Sequence, residues 1–143
     1  MTTNGTLAET IVSALSKDTN FNDITFVVAY ENHIKPTPVN KPIVAISVKG
    51  CVISPKLTEV LETGEITETN KREMKTTLSA DIYLPYSMGG SKGHKIFDRI
   101  ATYFLFTKKY NISESVCYNT EYDSNCEAII LRTHFVFNNI ISA

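Results

Sequence analysis

Residues 87–95 read SMGGSKGHK and lie between a strand-like run, LSADIYLPY, and a helix-like run, IFDRIATYFLF. Strand, glycine-rich turn, lysine and helix is the order in which backbone amides and a cation cradle a phosphate. A P-loop needs G-x-x-x-x-G-K-[ST], so that lysine neutralises the phosphate and a hydroxyl holds magnesium. Here Gly89 and Gly93 have three residues between them, and His94 and Lys95 follow where the motif requires Lys and Ser or Thr. The dinucleotide pattern G-x-G-x-x-G fails at its first interval, and the strand before the turn reads as part of an antiparallel hairpin. A joint is the simpler reading: glycine permits positive φ between strand and helix, and Ser91 is placed to cap the first helical amides. Lys92, His94 and Lys95 remain as a small basic spot.

The other side chains capable of chemistry are scattered. His33, His94 and His134 are far apart and accompany no G-x-S-x-G or H-E-x-x-H partner motif. Cys51, Cys117 and Cys126 are odd in number, unlike a secreted disulfide framework, so reduced thiols are expected. CYNTEYDSNC places Cys117 and Cys126 across a hairpin with His134 on the next strand, but structural zinc sites use closer cysteine pairs and a fourth ligand. Three small, half-buried side chains are the simpler account. The expectation is a protein that is not an enzyme and carries no cofactor or metal.

The elements that position these residues follow from periodicity. TLAETIVSALSKD sets Leu7, Ile11, Ala14 and Leu15 at helical spacing behind a Thr6…Glu9 capping box, predicting a helix over about residues 6–18. DITFVVAYENHI predicts a strand with Ile24, Phe26, Val28 and Tyr30 on one face, and the prolines of IKPTPVNKP end it. IVAISVKGCVIS is apolar on both faces and reads as a central strand. LTEVLETGEITETNKREMKTTLSADIYLP reads as a long hairpin, its second arm alternating Leu78, Ala80, Ile82 and Leu84 with Thr77, Ser79, Asp81 and Tyr83. A second helix runs from Ser91–Lys95 to about Lys108 on the stripe Ile96, Phe97, Ile100, Ala101 and Phe104. The closing hairpin alternates Ile129, Leu131, Phe135 and Phe137 with Ile130, Arg132, His134 and Val136.

The fold class expected is α+β: a mixed, mostly antiparallel sheet with two helices packed on it and a protruding β-hairpin, in a single domain over residues 1–143. The GEITETNKREMK stretch is too charged to be core, which makes residues 63–75 a polar hairpin tip. With 14 basic and 15 acidic residues the chain has no net pull toward nucleic acid or anionic membrane. No apolar run approaches the ~18 residues of a membrane span, and MTTNGTLAET lacks a basic flank and an apolar signal core. The expectation is a chain kept in a cytoplasm, without membrane or sequence-specific nucleic-acid partners.

The ordered set TLAETIVSAL, KPIVAISVKG, EVLETGEITETNKRE, LSADIYLPY and KIFDRIATYF, before a closing hairpin, resembles the tail-terminator proteins of long-tailed phages and phage-tail-like bacteriocins. The resemblance spans nearly the whole chain and rests on element order, size and pattern rather than on a short motif. It implies a structural virion or bacteriocin-particle protein, assembled in the bacterial cytoplasm as a homo-hexameric ring. Such a ring caps the last tube and sheath ring and offers a collar surface to a head-completion protein. Glu65, Glu68, Lys71, Arg72, Glu73 and Lys75 of the charged hairpin, with Lys92 and Lys95 of the glycine turn, are the candidate assembly contacts. The competing readings are a head–tail connector or baseplate part of the same particle, and a small enzyme or ligand-binding domain using the Gly89–Lys95 turn.

Overall fold

A computed structural model describes residues 4–29, 40–107, 109–125 and 127–142. The chain is an α+β domain in the order α1 (Asn4–Lys17), β1 (Thr25–Val28), β2 (Ile43–Val60), β3 (Ile66–Pro85), α2 (Ser91–Phe106), β4 (Ile112–Asp123) and β5 (Ala128–Ser142). The strands form one sheet in the order β1-β2-β3-β5-β4, parallel only between β1 and β2. The central strand is therefore β3, whereas the IVAISVKGCVIS strand lies one place out and has β1 beside it only from Ile43 to Ile46.

Both helices cover the same face of the sheet. Strand alternation sends Leu78, Ala80, Ile82 and Leu84 to that face, and the β3–β5 register sets Phe135, Thr133, Leu131 and Ile129 directly opposite them. Leu7, Ala8, Ile11 and Leu15 of α1 and Ile96, Ile100, Ala101 and Phe104 of α2 complete one buried cluster with these strands. Phe104 sits at its centre, with ring centroids 4.9 Å from Phe135, 5.3 Å from Phe137 and 5.4 Å from Tyr110, all edge to face. Such pairs add ~0.5–1.5 kcal/mol each beyond the area they bury. Where Tyr110 closes the cluster, loss of hydration pushes its phenol up to about 12, with Tyr103 alongside.

Two helix boundaries differ from expectation for local reasons. α1 begins at Asn4, so Thr6 lies inside its first turn and Thr6…Glu9 is not a capping box. α2 begins at Ser91 with Gly90 as its N-cap and no capping side chain, so Ser91 is the first helical residue rather than the cap. α2 is fastened at its side instead: Arg99 donates from both terminal nitrogens to Asp23, at 3.0 and 2.9 Å, donates to the Asn20 carbonyl, and lies 5.3 Å over the Phe21 ring. Tyr30 and His33 fall outside the described residues, as does most of the proline segment.

The β2–β3 hairpin outgrows the domain. Its strands run 18 and 20 residues, but helix cover and buried side chains are confined to the half nearer Ile43 and Pro85. β5 stops pairing with β3 at Lys71↔Ser142, and beyond that row only Thr58↔Glu68, Glu59↔Thr67 and Val60↔Ile66 continue the ladder. At ~3.4 Å per residue the two-stranded part projects about 15–20 Å past the last three-stranded row.

Candidate functional site

The projecting arm closes in a turn held by two backbone hydrogen bonds, from the amide of Leu61 to the Glu65 carbonyl and from the amide of Gly64 to the Leu61 carbonyl, both 2.8 Å. Gly64 has φ +86°, a conformation in which any Cβ would be strained. The turn is thus residues 61–65, which corrects the expected tip of 63–75. Glu65 and Glu68 belong to the arm and are exposed. Lys71, Arg72, Glu73 and Lys75 instead stand at its base, in rows where β3 is paired with β5.

The base is not wholly polar. Met74 is buried at 7% exposure among its charged neighbours, because alternation turns it to the helix-bearing face while Glu73 and Lys75 point the other way. Glu73 and Lys75 approach only to 4.0 Å, both well solvated, a pairing worth little. Arg72 shares the face of Met74 and donates to the Ser54 carbonyl at 3.4 Å. Beside it a 350 Å³ depression is lined by Lys56, Asn70, Arg72, Ile141 and Ser142.

At the arm's end the cross-strand pair Val60 and Ile66 is 70% and 72% exposed, and Leu61 next to it is 40% exposed. Three apolar side chains thus stand exposed, and among the described residues nothing is buried with them. The signal for this was present in the sequence as an apolar residue on each side of the LETGE turn.

The Gly89–Lys95 turn lies at the opposite end of β3 from the arm, so the structure separates Lys92 and Lys95 from the other candidate contacts. Both key glycines have structural uses. Gly89 reverses the chain at φ +74°, and Gly93 lets α2 approach the sheet, since a Cβ there would come within 3.2 Å of Leu84 Cδ1 and 3.5 Å of Leu131. Lys92 lends its charge to the Asp23–Arg99 pair, whereas Lys95 points to solvent. His94 faces Cys117 Sγ at 3.8 Å.

The thiols do not converge on a histidine-rich site. Cys117 pairs with Thr133 and faces α2, whereas His134 lies on the other face of the sheet. Cys51 and Cys117 are free, and Cys126 lies outside the described residues. Among the described residues no group of three or more His, Cys, Asp or Glu is arranged to hold a metal.

The face of the sheet turned away from the helices carries a polar cluster that sequence reasoning missed. Arg132 donates to Asp81 at 3.2 Å and to Glu121 at 3.0 Å. His134 bridges the Tyr118 hydroxyl and Glu114, each at 2.9 Å. Burial pushes the Asp81 carboxyl up, against the pull of Arg132, Lys49 and the Ser79 hydroxyl. The strand alternation that put Arg132 and His134 on one face was legible, but their partners depend on the register Asp81↔Arg132 and on the irregular step between Cys117 and Thr120. Asp81 and Glu121 share Arg132, and His134 is hydrogen-bonded on both ring nitrogens, so the cluster reads as a self-satisfied polar face.

No protein-family model matches the chain, and no curated protein matches it in sequence.

Proposed function

We propose that this chain is a structural subunit whose arm joins it to copies of itself in a homomeric ring. That ring closes the head-proximal end of a phage tail or phage-tail-like bacteriocin. The observation that carries the reading is the arm: β2 and β3 extended together past the last row at which β3 pairs with β5, ending in Val60, Leu61 and Ile66 in open solvent. A monomer gains nothing from projecting an apolar tip into water, whereas a subunit that buries the tip on a neighbour gains ~25 cal/mol per Å² covered. Support also comes from the element order α, three strands, α, two strands, which is the pattern on which the resemblance to tail terminators rests.

The test is to remove the arm and leave the domain. Replacing residues 58–68 with a two-residue turn keeps Lys71–Glu73 in their rows with β5, and the shortened chain is expected to retain its circular-dichroism spectrum and Tm. It is expected to lose ring formation by light scattering and negative-stain microscopy, and a particle-producing strain carrying it to make tails of irregular length. Normal-length, capped tails from that strain would overturn the reading.

A further inference from the structure

The charges of the β2–β3 hairpin are segregated by sign. Residues 57–70, LTEVLETGEITETN, hold four glutamates and no lysine, arginine or aspartate. The flanking stretches 49–56 and 71–75 hold five cations, Lys49, Lys56, Lys71, Arg72 and Lys75, against the single anion Glu73. Glu59, Glu62, Glu65 and Glu68 surround the apolar tip of Val60, Leu61 and Ile66, and all seven side chains are exposed. The depression at the arm's base is the complement, with Ile141 among its lining residues and Lys56 and Arg72 at its side.

The tip cannot reach its own base, because the paired strands between Val60↔Ile66 and Lys56↔Arg72 hold the two ends apart. It can reach the base of another copy. From this we infer that the acidic, apolar tip of one chain seats in the basic depression around Lys56, Arg72 and Ile141 of the next. This rests on the reading that the chain assembles with copies of itself, and adds which surfaces meet. Tip and depression are different patches, so the contact is heterologous and repeats head to tail, closing a ring where the rotation allows.

The edge of the hairpin argues for the tip over strand addition. Among the described residues β2 has no outer neighbour beyond Ile46, which leaves an open edge. That edge is broken by register irregularities at Val48/Gly50, Ile53/Lys56 and Lys56/Thr58, and it carries Pro55, which has no amide hydrogen to donate. Bulges, proline and lysine on an edge are what keep another strand from pairing there. The edge is guarded while the tip is left apolar and bare, and opposite charge at the two patches selects the register of docking.

The test uses charge reversal in the full chain, read by light scattering and electron microscopy, with folding checked by circular dichroism. One variant carries Glu59→Lys, Glu62→Lys, Glu65→Lys and Glu68→Lys; the other carries Lys56→Glu, Lys71→Glu and Arg72→Glu. Each alone is expected to fold and remain monomeric. Mixing the two, or combining all seven substitutions in one chain, is expected to restore assembly, since a basic tip then finds an acidic base. Wild-type association is expected to weaken about tenfold or more as salt rises from about 50 to about 500 mM, because exposed charges are screened over that range. If either reversed variant assembles as the wild type does, or if the folded pair fails to restore assembly, the inference falls while the ring reading stands. If the wild-type chain stays monomeric at every concentration, alone and with tail tubes added, both fall.

Discussion

One hairpin is built by two different rules. Between Ile43 and Val48, and opposite it between Leu78 and Tyr83, the inward positions of both strands are apolar and sealed under helices, and even the outward Ser79 and Asp81 are buried. Between Lys56 and Arg72 the same two strands carry side chains that are nearly all exposed, with Leu57 and Thr69 half-buried. Both halves share the β2–β3 ladder, which is irregular in the arm at Lys56/Thr58, and only the body has β1 and β5 at its sides. The second layer differs too: the body draws it from α1 and α2, and among the described residues the arm has none. The stability of the fold thus resides in one length of these strands, and the association proposed above in another.

Substitutions that empty the body should therefore unfold the protein, and substitutions in the arm should not. Phe104→Ala removes the ring on which Phe135, Phe137 and Tyr110 pack edge to face and is expected to cost ~3–5 kcal/mol. Ile66→Ser, at a side chain 72% exposed, is expected to change monomer stability by no more than ~0.5 kcal/mol while reducing association. Equilibrium denaturation of both variants, followed by light scattering, checks the pair. A loss above ~2 kcal/mol from Ile66→Ser would mean that the arm is packed in the monomer after all, on the scale of a buried aliphatic side chain.

Two ion pairs sharpen the same contrast at the rim of the body. The Arg99 guanidinium beside Asp23 holds that carboxyl below its ordinary value, whereas burial holds Asp81 above its own despite Arg132. A lowered folded-state pKa contributes stability present above the unfolded pKa and lost as pH falls through the folded one. A raised one works in reverse: ionised Asp81 costs stability above its folded pKa, and the cost is relieved as acid neutralises it. Asp23→Asn is thus expected to lose about 0.5–1 kcal/mol near pH 7, discounted for the exposure of both partners, with the deficit shrinking toward pH 3. Asp81→Asn is expected to change stability less near pH 7, because Arg132 keeps Glu121, and its stability relative to the wild type should fall as pH drops. Urea denaturation across that range reads both signs, and a deficit for Asp81→Asn that vanishes on acidification would reverse the assignment for Asp81.

The parts of this fold that were legible are those where a single period decides the outcome. The stripe Ile96, Ile100, Ala101 and Phe104 repeats at 3.6 residues, and Leu78–Leu84 alternates at two, so each could be placed without knowing its neighbours. Pairing was less legible, because β1 joins β2 in parallel for only four rows and nothing in TFVV specifies direction. The arm was found but its limits were not. GEITETNKREMK looks uniformly polar, and one Met among charges is a weak sign that residues 71–75 lie on a half-buried strand. The signal that marks the boundary is the change of charge sign between Glu68 and Lys71. The polar face around Asp81 and Arg132 required the register, which no local pattern carries.

The smallest expected effect concerns the far end of β3, and it decides whether association is confined to the arm. Lys92 and Lys95 sit in the first turn of α2, where free amides and two cations give the best alternative location for a phosphate-bearing ligand. The glycines that would form such a cradle are occupied with reversing the chain at Gly89 and admitting Leu84 and Leu131 at Gly93. Lys92→Ala with Lys95→Ala is therefore expected to leave the spectrum and the assembly unchanged. It should shift stability by less than ~0.5 kcal/mol, the residue of Lys92's charge near Asp23. Adding ATP or a dinucleotide to the wild type should leave Tm unmoved. A ligand present at about a hundred times its Kd stabilises by ~2.7 kcal/mol, a shift of several degrees for a domain of this size, so the measurement is not marginal. A saturable shift of that size, abolished by the two substitutions, would make the turn a ligand site; loss of rings on the same substitutions would extend the subunit contact to the end of the strand where the arm is not.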